Sequence, residues 1–171
     1  MRVATMLGTA GLALLASGAA AQDVTYDYDK TANFAGFKTY AWVDGRNVKD
    51  ELNHKRIVAA VDAQLAARGF TKVEAGASPD VLVAYNVGFG QEVQISGYAP
   101  GYRPAARWGS ARAEQVLVGA LGVEIVDAKT RTMTWRAIAR KDLDEDASPE
   151  KRERNLNKAV AKMFEKYPPE A

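Results

Sequence analysis

Between Glu114 and Lys141 the chain reads E-Q-V-L-V-G-A-L-G-V-E-I-V-D-A-K-T-R-T-M-T-W-R-A-I-A-R-K, and the alternation in this stretch decides the fold. Leu117, Leu121, Val123 and Ile125 share one side of a strand over 114–126. Met133, Trp135, Ala137 and Ala139 share one side of a strand over 132–141. Side chains in a strand repeat every second residue, so each row buries one face and leaves the other to solvent. Asp127-Ala128-Lys129-Thr130 between them is a turn, and the whole predicts a β-hairpin.

Upstream, Val81, Val83, Tyr85, Val87 and Phe89 alternate in a third strand over about 80–95, where Gly88 and Gly90 permit a bulge or strong twist. Val24-Thr25-Tyr26-Asp27-Tyr28-Asp29 and Lys38–Val43 predict two strands near the start, and Thr71-Lys72-Val73 a short one. The period changes between Asp50 and Arg68. Leu52, Ile57, Val58, Val61 and Leu65 fall at helical spacing, with Lys55, Arg56, Asp62 and Arg68 on the other side. Gly69 stands where a left-handed helix end is wanted, and Phe70 can fold back on the last turn. Ser148-Pro149-Glu150 starts a second helix with a hydroxyl cap, proline at the first position and acid in the first turn. Leu156, Ala159, Val160, Met163, Phe164 and Tyr167 make its apolar stripe, and Pro168-Pro169 ends it. The predicted order is ββαβββ(β)α. It describes an α+β, two-layer sandwich: a mostly antiparallel sheet with two helices packed on one face.

The chain starts differently. Arg2, an apolar run from Val3 to Leu15, and Ala19-Ala20-Ala21 are the parts of a signal peptide, predicting cleavage before Gln22 and a periplasmic location. The run is shorter than the ~20 apolar residues a bilayer span needs, so no transmembrane segment is expected in the mature chain. Residues 22–171 then form a single domain. Of 171 residues none is Cys and one is His, which removes disulfides, iron–sulfur clusters, thiol nucleophiles and multi-His metal sites. The formal charge of +2 falls to +1 with the loss of Arg2, too small for a nucleic-acid footprint.

Several motifs then coincide: Y-D-Y-D (Tyr26–Asp29), F-x-x-F-K-T-Y-A-W (Phe34–Trp42), Q-L-A-A-R-G-F (Gln64–Phe70) and P-D-V-L-V (Pro79–Val83). L-G-V-E-I-V-D-A-K-T (Leu121–Thr130), T-W-R (Thr134–Arg136) and a final helix running to F-E-K-Y-P-P complete the series. In order and spacing the chain resembles the bacterial envelope family known as domain of unknown function 4136, over nearly all of its mature length. The resemblance implies an exported, often lipid-anchored, single-domain α/β protein with no assigned activity and no catalytic residues to carry over. Unlike the lipoprotein members, this chain has no Cys to acylate.

Three candidate sites stand out. The Gly/Pro/Tyr-rich loop 96–113 joins Tyr98, Tyr102 and Trp108 to Arg103, Arg107 and Arg112; it reads either as a binding surface for an envelope protein or glycan, or as a passive insertion. Asp142, Asp144, Asp146, Ser148, Glu150 and Glu153 place oxygens at positions 1, 3, 5, 7, 9 and 12 of a calcium loop, although Ala147 and Pro149 break its pattern. The competing reading is a solvated connection whose acids favour the helix N-terminus. Carboxylates near Asp27 and Asp29 could work with Asp142, Asp144 and Asp146 as a hydrolase, if held ~5–10 Å apart across a cleft. His54 reads as a solvated surface residue, and Trp42 and Trp135 as core. The resulting expectation is a non-catalytic binding or structural module of the cell envelope, with no cofactor; weak calcium binding or a carboxylate hydrolase are the alternatives.

Overall fold

The computed structural model describes residues 23–43, 50–74, 76–96, 112–144 and 146–169, with side chains undescribed at 93–96 and 112–116. The predicted signal peptide over 1–21 lies outside them. Strands β1 (Asp23–Tyr28), β2 (Thr39–Trp42), β3 (Thr71–Lys72), β4 (Val81–Ser96), β5 (Arg112–Asp127) and β6 (Met133–Asp142) make one sheet. Helices α1 (Glu51–Ala66) and α2 (Pro149–Phe164) cover one face of it. The two-layer α+β architecture read from the sequence is the one observed.

Strand order is β1-β6-β5-β4-β2-β3. The β5–β6 hairpin forms as predicted, and β4 pairs antiparallel with β5 along its whole length, from Val81↔Asp127 to Ser96↔Arg112. The edges add what local patterning does not carry. β1 crosses to pair with β6, while β2 runs parallel to both β4 and β3. Two parallel strands need a crossover between them, and α1 provides it.

The ends of α1 follow from its sequence. Asp50 caps it, accepting the Asn53 N–H at 3.0 Å. At the other end Gly69 takes φ +82°, the Phe70 N–H reaches Leu65 O at 3.1 Å, and the Gly69 N–H reaches Ala66 O at 3.0 Å. That pair of bonds is the Schellman arrangement, and it turns Phe70 into the core. Ser148 caps α2 through the Lys151 N–H.

Ile57, Val61 and Leu65 of α1 and Val160, Met163 and Phe164 of α2 meet Val81, Val83, Val123, Ile125, Trp135 and Ala137 of the sheet. The Trp135 ring lies 5.0 Å from Phe164 and 5.1 Å from Tyr167, centroid to centroid. Each such fully buried large side chain contributes ~1.5–3 kcal/mol. A register shift between Ile125 and Val126 alters one expected row: Met133 turns outward, and Thr134 is buried with its hydroxyl on Ile125 O at 3.0 Å. Leu52 also departs from the expected stripe. It lies 66% exposed in the first turn of α1, ahead of the point where the helix reaches the sheet.

Chain direction positions the site. β4 and β6 both run antiparallel to β5, hence parallel to each other, and β2 runs parallel to β4. Each helix follows one of these strands and returns along it, so α1 and α2 both begin at the end of the sheet where β4 finishes.

Candidate functional site at the base of the hairpin arm

β6 leaves β5 at Val118↔Asp142, with one more bond from the Leu143 N–H to Leu117 O. β2 leaves β4 at Trp42↔Val83. Beyond those points β4 and β5 continue as a two-stranded arm. Its last six pairs, Gln91↔Leu117 to Ser96↔Arg112, extend ~20 Å past the sheet.

A groove lies where the arm springs from the body. Val87, Phe89, Leu121 and Ala139 of the sheet, Leu143 and Ala147 of the β6–α2 connection, and Ile57, Leu156 and Ala159 of the helices form its apolar walls. Arg56, Lys141, Asp142, Asp144 and Arg152 also line it. It encloses about 220 Å³ of water-accessible space. The helices stop short of its outer wall, leaving Phe89 71% and Val87 47% exposed. Gly119 shapes the floor. A Cβ there would stand 2.8 Å from Leu143 Cδ2, so any larger residue would push the Leu143 side chain from its place over β5.

The acidic connection frames the groove. Asp144 is paired with Lys151 Nζ at 2.6 Å and also accepts the Asp146 N–H, and the lysine beside it holds its carboxyl below the usual value. Ser148 is occupied as the α2 cap, and its hydroxyl, bonded to Glu150, holds that carboxyl below the usual value. Glu153 lines a separate hollow, together with Lys55 and Gln64 of α1. Among the described residues no three acidic or histidine side chains stand close enough to hold a metal ion. The two carboxylate regions weighed for hydrolysis are also apart. Asp29 bonds Thr134 at one end of β6 and Asp142 closes the other end, ~27 Å away at strand rise, too far to share a cleft. Tyr98, Tyr102, Arg103, Arg107 and Trp108 lie outside the described residues.

His54 corrects the sequence reading. It is half-buried, and its Nδ1 lies 2.8 Å from the Tyr85 hydroxyl, because helical spacing turns positions 54, 57, 58 and 61 toward the sheet. Trp42 stacks edge-on against Tyr85 at 6.1 Å. Asp62, expected on the solvent side, instead accepts from Tyr40 Oη and Trp42 Nε1, each at 2.8 Å, and from Lys72 Nζ at 2.9 Å. Burial pushes the Tyr85 phenol up, and burial with the Asp62 bond does the same to Tyr40. This network fastens α1 to β2, β3 and β4. At the far end of the sheet a broader hollow of about 1140 Å³ contains Asp80 and Asp127, whose carboxylates are committed to backbone N–H groups.

The comparisons agree with this architecture. The chain belongs to the DUF4136 family, a domain of unknown function, whose model matches residues 24–169. No curated protein matches it. Among solved structures it is similar to a PDZ domain protein from Parabacteroides distasonis, at 19% identity and TM-score 0.56, over 88% of this chain and 37% of that one. It is also similar to a PelC dodecamer from Paraburkholderia phytofirmans, at 12% identity and TM-score 0.53, over 84% of this chain and 95% of that one. Lipoprotein GNA1162 from Neisseria meningitidis follows at 14% identity and TM-score 0.44, over 74% and 97%. The likeness to the first two is one of fold alone. Among the described residues no helix is long and apolar enough to cross a membrane.

Proposed function

We propose that this protein is exported to the periplasm and works there as a non-catalytic binding module, taking an apolar segment of an envelope protein into the groove at the base of its arm. The groove carries the reading: two exposed apolar side chains, Phe89 and Val87, continue into walls set by Leu121, Leu143 and Leu156. Exposed apolar surface continuous with a walled groove marks interaction sites in soluble proteins. The lining favours a protein segment over a glycan, which would want stacked rings and convergent polar donors. Export is supported by Arg2, the apolar run and Ala19-Ala20-Ala21.

The test has two arms. Osmotic-shock fractionation of expressing cells should release a chain starting at Gln22; a chain keeping its first 21 residues in the cytoplasm would contradict export. Immobilised wild-type protein should retain an envelope protein that L143K releases and K158E, on the outer face of α2, still holds. Equal retention by all three would contradict the groove.

A further inference from the structure

We infer that the segment held in the groove is an amphipathic helix of the partner, that it lies along the arm as a third helix on this sheet, and that its groove end is acidic. The inference rests on the groove reading above and deepens it. In the body, α1 and α2 cover one face of the sheet, where Val83, Val123 and Ile125 are buried. The arm carries that same face outward, because the register of β4 with β5 is unbroken from Val81↔Asp127 to Ser96↔Arg112. Strand alternation therefore puts the odd-numbered positions of both strands on the helix side. Over the last six pairs these are Gln91, Val93, Ile95, Ala113, Gln115 and Leu117, none of them charged. The opposite positions hold every charge of those pairs, Glu92, Arg112 and Glu114. Charges sorted to one face mark the other as the face to be covered, and that one runs on from exposed Val87 and Phe89.

Geometry selects a helix for this place. The groove is floored by Gly119 and Leu121 of β5 and walled by Leu143 above them, so it lies over the sheet and not beside the β4 edge. A strand added at that edge would sit one strand away from the β5 row. An element lying over the face covers both rows at once. Two strands ~4.8 Å apart, with their side chains, make a face about 10 Å wide, which is the diameter of one helix, and ~20 Å of arm matches ~13 helical residues. Layered folds cover an apolar sheet face in this way, as α1 and α2 do in the body. Charge fixes the chemistry of one end. Arg56, Lys141 and Arg152 line the groove against Asp142 and Asp144, and Asp144 is already bound to Lys151 at 2.6 Å. Positive charge is thus in excess at the body end, while the helix-side positions of the arm carry none. The complementary helix is acidic where it meets the groove and apolar along its arm-facing side.

Photo-cross-linking along the arm in living cells tests this separately from the groove. A photoreactive residue replacing Val93 or Ile95 should trap the same envelope protein as one replacing Leu143, while the same residue replacing Glu92 or Gln94 should trap about fivefold less or none. Mass spectrometry of the adducts should place the partner residues reached from these positions on one helical face, three, four or seven residues apart. A synthetic peptide of that segment should gain helical circular dichroism on binding the mature chain. K141E and R56E, each with an unchanged melting temperature, should weaken that peptide about fivefold or more, and K158E should leave it within about twofold of wild type. An adduct at 143 with none at 93 and 95, equal yields on both faces of the arm, or partner contacts two residues apart as in a strand would overturn this inference and leave the groove standing. So would a peptide indifferent to both charge reversals, or adducts from 93 and 95 to residues 97–111 or to a second copy of this chain. No adduct at 143 would remove the groove reading and this inference with it.

Discussion

The imidazole of His54 faces the ring of Tyr85, 2.8 Å from Nδ1 to the phenol oxygen and 5.8 Å between ring centroids. One residue lies near the start of α1 and the other in the middle of β4, so this contact sets the height of the helix over the sheet just inside the groove. Replacing Tyr85 by Phe keeps the packing on Trp42 and removes the hydroxyl. The expected cost is ~1 kcal/mol, with the His54 ring signals shifting in NMR spectra. An unchanged His54 spectrum would show that the two groups do not meet in solution.

Alkaline stability should reflect the buried phenols. Burial raises Tyr40, Tyr85 and Tyr167 above the ordinary value of 10.0. Because the folded values exceed the unfolded one, their contribution is complete below pH ~10 and is lost as pH rises through the folded values. Denaturant midpoints should therefore hold to about pH 10 and fall beyond it. Y85F should flatten that fall in part. Absorbance titration should show a fraction of tyrosines ionising only on unfolding.

The acid limb has the opposite sign. Asp80 accepts the Lys38 and Thr39 N–H groups at 2.9 and 2.8 Å and the Thr39 hydroxyl at 2.9 Å. These bonds, the Lys38 N–H foremost, hold its carboxyl below the usual 3.8. Its contribution is present above that value and is lost as pH falls through the folded one. D80N should cost ~1–3 kcal/mol at pH 7 and lose less than wild type on acidification.

Arg68 ties the two helices together. Its Nε donates to Tyr167 O at 2.7 Å, Nη2 to Phe164 O, and Nη1 to Gln64 O at 2.9 Å, while its guanidinium lies 5.5 Å from the Phe164 ring centroid. The helical pattern placed it on the solvent side; it instead closes the C-terminal turn of α2. R68A should destabilise by ~2 kcal/mol, and R68K should recover little, since one ammonium cannot serve this planar fork. Chemical denaturation of the three proteins decides it.

The floor of the groove makes a coupled prediction. G119A pushes a methyl group against Leu143 and should cost stability or lift that side chain from the groove. L143A should relieve it, so the double mutant is more stable than the sum of the singles by ~0.5 kcal/mol or more. Additive effects would mean that Leu143 does not lie over Gly119.

Much of the fold was legible because it rests on period. Rows such as Val81–Val83 and Val123–Ile125, and the Ser148-Pro149 and Gly69-Phe70 helix ends, carry their structure in adjacent residues. What was not legible is relational. Nothing near β1 says that it pairs with β6, more than a hundred residues on. Tyr85, Val87 and Phe89 read as one buried row, yet the helices end over Tyr85 and leave the next two uncovered. Polar residues on the buried side of α1 were the hardest to read. His54 and Asp62 look like solvent-facing groups until Tyr85, Tyr40 and Trp42 arrive from distant strands to bind them. The groove was missed for the same reason, since four stretches of sequence, at 53–57, 87–89, 119–121 and 139–159, build it.

Site-specific photo-cross-linking in living cells tests the central claim most directly. A photoreactive residue replacing Leu143, on the groove wall, should trap one discrete envelope protein, while the same residue replacing Lys158 should trap none. No discrete adduct at position 143, or the same adducts at both positions, would contradict a binding role for the groove.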